Sequence, residues 1–173
     1  MSEQLKIIKG DITELSVDAI VNAANSSLLG GGGIDGIIHL KAGPDLLKEC
    51  KQLGGCLAGH AKITKAYNLP AKWIIHTVGP VWRGGSKGEP QLLSACYQSS
   101  FNLALKQGIK TIALPAISCG VYGYPILQAA AIAIHEALNF LELHPDIERI
   151  TFVCFDDAAF ESYQLQLDAI LHE

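Results

Sequence analysis

The chain has 173 residues, 49% of them hydrophobic, which suits one compact domain and leaves little room for a second. Thirteen basic against seventeen acidic side chains give a net charge of −4, and no Lys/Arg cluster is available to track a phosphate backbone, which counts against polymeric nucleic acid as a main partner. The longest apolar runs, at 111–117 and 129–134, fall short of the roughly 20 residues that span a bilayer, residues 1–10 lack the apolar core of a secretory signal, and Cys50, Cys56, Cys96, Cys119 and Cys154 follow no disulfide spacing; the expectation is a cytoplasmic protein that starts at Met1 and has no membrane partner.

Strand-like and helical segments alternate. In chain order the pattern predicts strands over 5–12 and 19–24, a broken helical pair over 34–42 and 45–52, strands over 61–66 and 73–78, and a long helix over 89–107. A strand over 111–117, a helix over 126–143, a strand over 149–155 and a last helix over 157–171 complete it. The runs TIALPAI and ITFVCF are apolar on both faces, as strands covered by helices on each side are. The fold class is therefore α/β, a three-layer α/β/α sandwich.

Two loops and two groups of side chains carry chemistry. The first, NSSLLGGGGIDG at 25–36, follows a strand and opens a helix. Four consecutive glycines cost backbone entropy, so such a run fits a place where backbone approaches a ligand closely, most simply an anion at a helix N-terminus; the alternative is a mobile surface loop. Gly31, Gly33 and Gly36 also satisfy G-x-G-x-x-G. The acidic residue that a dinucleotide fingerprint needs about 20 positions later is missing, however, and Ser26 to Gly30 separate the motif from its strand.

The second loop, SCGVYGY at 118–124, lies between a buried strand and a helix opening near Pro125, and reads as a second phosphate loop on a neighbouring strand. Tyr122 stands between two glycines, where its ring either packs against a sugar or closes the loop. The third group is polar residues at strand ends. Asp11 suits a ligand or a turn cap, Asn25 ends its strand, Asp157 reads as the N-cap of the last helix with Phe155 in the core, and Asp156 reads as solvated.

The fourth is Asp35 and His39, four apart and so on one helix face. A carboxylate in a first helical turn is favoured by the helix N-terminus and can take a proton from water or a ribose hydroxyl; the plainer alternative is a helix-start acid beside a core histidine. Zinc at Cys50, Cys56 and His60 is disfavoured by the spacing. Cys119 reads as a small loop residue rather than a nucleophile paired with His76.

Taken together, GDIT at 10–13, NAANSSLLGGGGIDGIIH at 22–39, HTVGPVW at 76–82, PAISCGVYGYP at 115–125 and VCFDD at 153–157 resemble the MacroD-type macrodomains over nearly the whole chain. The resemblance implies a macrodomain spanning 1–173 with a mixed six-stranded sheet, and ADP-ribose with its O-acyl and protein-linked derivatives as ligands. Mono-ADP-ribosylated proteins are implied as partners, and no cofactor or metal is called for. By the same resemblance Asp11 bonds the adenine amino group with the Ile12 backbone beside it, Phe155 stacks on adenine, and Asn25 holds the distal ribose. Gly32, Gly33, Ile34 and Asp35 with Ser118, Cys119, Gly120, Val121 and Tyr122 enclose the diphosphate and distal ribose. Asp35, Asn25 and His39 are the catalytic candidates.

This sequence departs from the family pattern at HLKAGP, where a basic residue moves to Lys41, at CLAGHA from Cys56, and at PAISC. The leading expectation is an ester hydrolase acting on O-acetyl-ADP-ribose or on ADP-ribosylated acidic side chains. A non-catalytic ADP-ribose reader is the alternative, and a nicotinamide-dependent oxidoreductase rests on glycine spacing alone.

Overall fold

A computed structural model describes residues 2–172. Its strands are β1 (Leu5–Lys9), β2 (Ala19–Ala24), β3 (Ala61–Lys65), β4 (Trp73–Val78), β5 (Thr111–Leu114) and β6 (Arg149–Cys154). Its helices are α1 (Gly33–Ala42), α2 (Pro44–Leu53), α3 (Glu89–Lys106), α4 (Ile126–Leu143) and α5 (Asp157–Leu171). The strands form one sheet in the order β1-β6-β5-β2-β4-β3. Every neighbouring pair is parallel except β3 with β4, so the sheet is mixed, as the resemblance implies.

Alternation along β2 splits the core in two. Ala19 and Val21 join a cluster with residues of α3, α4 and α5, while Ile20 and Ala24 join a second cluster with residues of α1 and α2. Both faces of the sheet are thus covered, which accounts for the doubly apolar strands.

Several element ends differ from the sequence reading, each for a local reason. β1 stops at Lys9 because Asp11 caps a 3₁₀ turn at Ile12–Glu14, its carboxylate accepting the Thr13 N–H at 2.9 Å. β5 stops at Leu114, before a proline that cannot donate to a sheet ladder. The last helix is capped by Asp156, not Asp157: Asp156 Oδ1 accepts the Ala159 N–H at 2.9 Å, and Asp157 instead pairs with Lys9 at 2.6 Å. The break between α1 and α2 falls at Gly43, whose φ of 92° ends one helix, with Pro44 opening the next.

The run at 129–134 proves to be part of one continuous apolar helix, α4, whose 18 residues are long and apolar enough to cross a membrane by length and composition. In this fold its apolar face is buried inside the domain, with Phe140 stacked on Phe101 of α3 at 4.4 Å.

The parallel arrangement decides where chemistry can gather. Because β1, β6, β5, β2 and β4 run the same way, the loops leaving their C-terminal ends emerge at one edge of the sheet. Those loops hold Asp11, Phe155, the 115–124 segment, Asn25 with the glycine run, and Gly79.

Candidate active site

At that edge a cavity of about 420 Å³ opens between the loops that follow β2 and β5. The glycine run lines one wall and Ser118 to Tyr122 the other. Phe155 and Ile37 line it too, and they also border an adjoining hollow of about 260 Å³ that reaches Lys9, Gly10 and Asp11. The shape is a long cleft with a wide compartment and a narrower end.

Asn25 is fixed by the turn it opens. Its Oδ1 accepts from Ser27 N at 3.1 Å and Ser27 Oγ at 2.6 Å, and its Nδ2 donates to Gly30 O at 2.9 Å. One amide hydrogen is left over on the cavity side. Asp35, in the first turn of α1, is only 4% exposed yet lines the same cavity. A Cβ placed on Gly31 would lie 3.1 Å from Asp35 Oδ2 and 3.2 Å from Asn25 Nδ2, so a bare backbone is what lets these two groups converge.

The opposite wall is strained and tied down. Ser118 has φ 65°, a left-handed conformation costly for a residue with a side chain. Its hydroxyl is buried with no partner among the described residues. A Cβ on Gly79, directly after β4, would strike Ser118 Oγ and lie 2.8 Å from Ile117 Cγ2, so only glycine fits there. The loop is held by Trp82 N donating to Tyr122 O at 2.8 Å and Tyr124 N to Ser118 O at 2.9 Å. Tyr124 is the ring that closes the loop, buried against Trp82 at 4.7 Å, while Tyr122 is left half-buried on the cavity wall.

Of the residues singled out in the sequence, Asn25, Gly32 to Asp35, Ser118 to Tyr122 and Phe155 line the main cavity, and Asp11 lines the adjoining hollow. Two lie outside both. Ile12 is 1% exposed, packed under α1. His39 sits behind Asp35, its Nε2 3.4 Å from Asp35 Oδ1 and without a hydrogen-bond partner among the described residues. Phe155 is not a core residue; it is 71% exposed at the cleft mouth.

The sequence reading missed Gly79, Ile37, Ile126, Val153 and Asp156 as lining residues. Asp156 alone left a signal, as a polar residue directly after a buried strand.

Cys119 does not act with His76. Burial pushes its thiol up to about 12, its Sγ contacts Ile117 O at 3.5 Å, and His76 engages Asn22 and Thr64 instead. Among the described residues no three His, Cys, Asp or Glu side chains gather closely enough to hold a metal ion. His60 is exposed just before β3 and does not line the cleft.

A mixed six-stranded sheet carrying a glycine-walled cleft at the C-terminal edge of its parallel strands defines an α/β domain of the macrodomain kind. The chain belongs to the Macro domain family, whose profile matches residues 21–133. A macro domain-containing protein of Chlorobaculum tepidum is 59% identical over 162 residues, 94% of each chain. An O-acetyl-ADP-ribose deacetylase of Citrobacter rodentium is 54% identical over 168 residues, covering 95% of each. The structure of an Oceanobacillus iheyensis macrodomain mutant with ADPR is similar at a TM-score of 0.93 and 40% identity, covering 98% of this chain and 94% of that one.

Proposed function

We propose that the 173 residues act as a single macrodomain that binds ADP-ribose and hydrolyses esters on its distal ribose. The substrates are O-acetyl-ADP-ribose and mono-ADP-ribose carried by acidic side chains of proteins. The observation that carries this reading is the convergence of Asp35 Oδ2 and Asn25 Nδ2 on one glycine at the cavity floor. It is supported by the deacetylase name of relatives above 50% identity and by the structural neighbour with ADPR.

Ligand and cleft fit end to end. Adenine lies over Phe155 with its amino group toward Asp11, and Ile12 contributes backbone beside it. The diphosphate runs between the backbone N–H groups of Gly32, Gly33 and Ile34 and those of Ser118 to Tyr122. The distal ribose then reaches Asn25 and Asp35. Backbone amides supply the anion binding, which suits a chain of net charge −4.

In the reaction Asp35 Oδ2 takes a proton from a water that attacks the ester carbonyl. The acyl–oxygen bond breaks, the ribose oxygen leaves as a hydroxyl after recovering a proton, and the acyl group departs as a carboxylic acid. Asn25 holds the ribose so that the carbonyl meets the water, and positioning supplies much of the rate. His39 acts from behind Asp35 rather than on the substrate. No metal or cofactor enters this scheme. The five cysteines are all free thiols, and a reducing compartment, the cytoplasm, is the proposed setting.

Incubation with O-acetyl-ADP-ribose and, separately, with an auto-modified ADP-ribosyltransferase tests the proposal. Release of acetate, or of ADP-ribose from the modified protein, is the expected result. Tight ADP-ribose binding without turnover of either substrate would replace the hydrolase with a reader.

A further inference from the structure

Behind Asp35 runs a line of buried polar groups that the cleft does not use. Asn22, Thr64 and His76 are each at most 1% exposed, and they lie on the sheet face that α1 and α2 cover, in a core that is otherwise apolar. Asn22 and His76 are register partners on adjacent strands β2 and β4, and Thr64 reaches His76 from the edge strand β3. A buried polar row across three strands is costly unless its contacts are satisfied, and of its side-chain nitrogens and oxygens Asn22 Oδ1 alone has no partner among the described residues.

The donors and acceptors can be assigned in one direction only. Thr64 Oγ1 donates to Lys65 O at 3.0 Å, so it must accept from His76 Nε2–H at 2.9 Å. His76 Nδ1 is then an acceptor, and takes a hydrogen from Asn22 Nδ2 at 3.1 Å. The second hydrogen on Asn22 Nδ2 goes to Asp35 Oδ1 at 2.9 Å. Turning the Asn22 amide over would set an oxygen against Asp35 Oδ1, an arrangement that requires a protonated Asp35.

We infer that Asn22, oriented by His76 and Thr64, is a positioning residue that occupies Oδ1 of Asp35 and leaves Oδ2 as the proton acceptor facing the cleft. The inference rests on the hydrolase reading above for its catalytic consequence, but not for its geometry. An amide cannot give up its proton, so the row orients the carboxylate and relays nothing. Burial, with the nearby His39, brings His76 down to about 3, which keeps the ring neutral and its Nδ1 an acceptor. The titratable groups packed around the row are Asp35 and His39 from α1, Cys50 from α2, whose Sγ is 4.0 Å from His76 Nε2, and His76 itself.

Two near-isosteric variants, Asn22→Leu and Thr64→Val, test this with two readouts. The first is the carbon-13 chemical shift of the Asp35 carboxyl at fixed neutral pH, which needs no activity. Loss of the hydrogen bond to Oδ1 should displace this resonance in Asn22→Leu and, by a smaller amount, in Thr64→Val. The second is steady-state hydrolysis of O-acetyl-ADP-ribose, where kcat should fall roughly ten- to a hundredfold with KM little changed. If Asn22→Leu does not fold by circular dichroism, Thr64→Val, which keeps the packing volume, decides alone. A folded variant whose Asp35 carboxyl resonance and kcat both match the unmodified chain overturns the proposal. An unmodified chain with no hydrolysis would refute the hydrolase reading instead, and the carboxyl resonance would still decide the positioning.

Discussion

Lys41 Nζ lies 2.7 Å from Asp11 Oδ2, joining the last turn of α1 to the loop that leaves β1. Thr13 takes the other oxygen through its N–H and its hydroxyl. Both oxygens of the group assigned to adenine are therefore engaged before a ligand arrives. The Lys41 ammonium, followed by the Thr13 hydroxyl, brings the Asp11 carboxyl down to about 2.

Asp11→Ala should weaken ADP-ribose much more than ribose 5-phosphate, since only the former carries adenine; equal losses by calorimetry would refute the adenine assignment. Lys41→Ala should raise the Asp11 midpoint from about 2 toward its ordinary 3.8. Because the folded-state value is depressed, the pair contributes stability above about 3.8 and loses it as pH falls toward 2. Both side chains are more than a third exposed, so solvent screening keeps the effect of Lys41→Ala on stability small.

Two adjacent glycines should respond differently. A methyl on Gly31 meets Asp35 Oδ2 and Asn25 Nδ2 at just over 3 Å, whereas one on Gly32 meets nothing within 4 Å. Gly31→Ala is expected to cut hydrolysis at least about tenfold by parting the two groups, and Gly32→Ala to leave the thermal midpoint unchanged. Comparable turnover in Gly31→Ala and the unmodified chain would show that their convergence is not used.

Asp35→Ala should abolish most turnover while the fold and much of the ADP-ribose affinity persist. A positioned base contributes about 10²- to 10⁴-fold in rate, while binding rests on backbone amides, Phe155 and Asn25, which the change leaves in place. Single-turnover hydrolysis and calorimetry on one preparation separate the cases. Near-normal hydrolysis would transfer the role of base to the substrate's own diphosphate, and loss of binding along with turnover would make Asp35 a ligand-holding residue.

Acid should destabilise the domain through His76. Its folded value, about 3, lies below the ordinary 6.5, so the unfolded chain binds the extra proton first. Its contribution is complete above about 6.5 and is lost progressively as pH falls toward 3. The thermal midpoint should therefore drop between pH 7 and 5, and less steeply in His76→Gln. Parallel slopes in the two proteins would show that His76 is not the titrating group.

Much of this protein was legible in its sequence because the signals are local. Runs of apolar and β-branched residues gave β2 and β4 their observed bounds, Gly43-Pro44 broke the helical pair, and the two glycine loops revealed themselves by residues that only special backbone explains. Adjacent placement of those loops followed from their leaving parallel neighbouring strands. What the sequence left open was which of several local options the surroundings would select. Asp156 rather than Asp157 caps α5, and Tyr124 rather than Tyr122 closes the second loop, because burial and the anchor at Trp82 decide between near-equals. The Asn22–His76 contact joins residues 54 apart and exists only because β2 and β4 pair in one register. A slip of one residue would turn His76 to the opposite face and leave Asn22 without the ring that orients it toward Asp35, so the composition of the cleft is written in the chain while the orientation of its carboxylate is decided by the sheet.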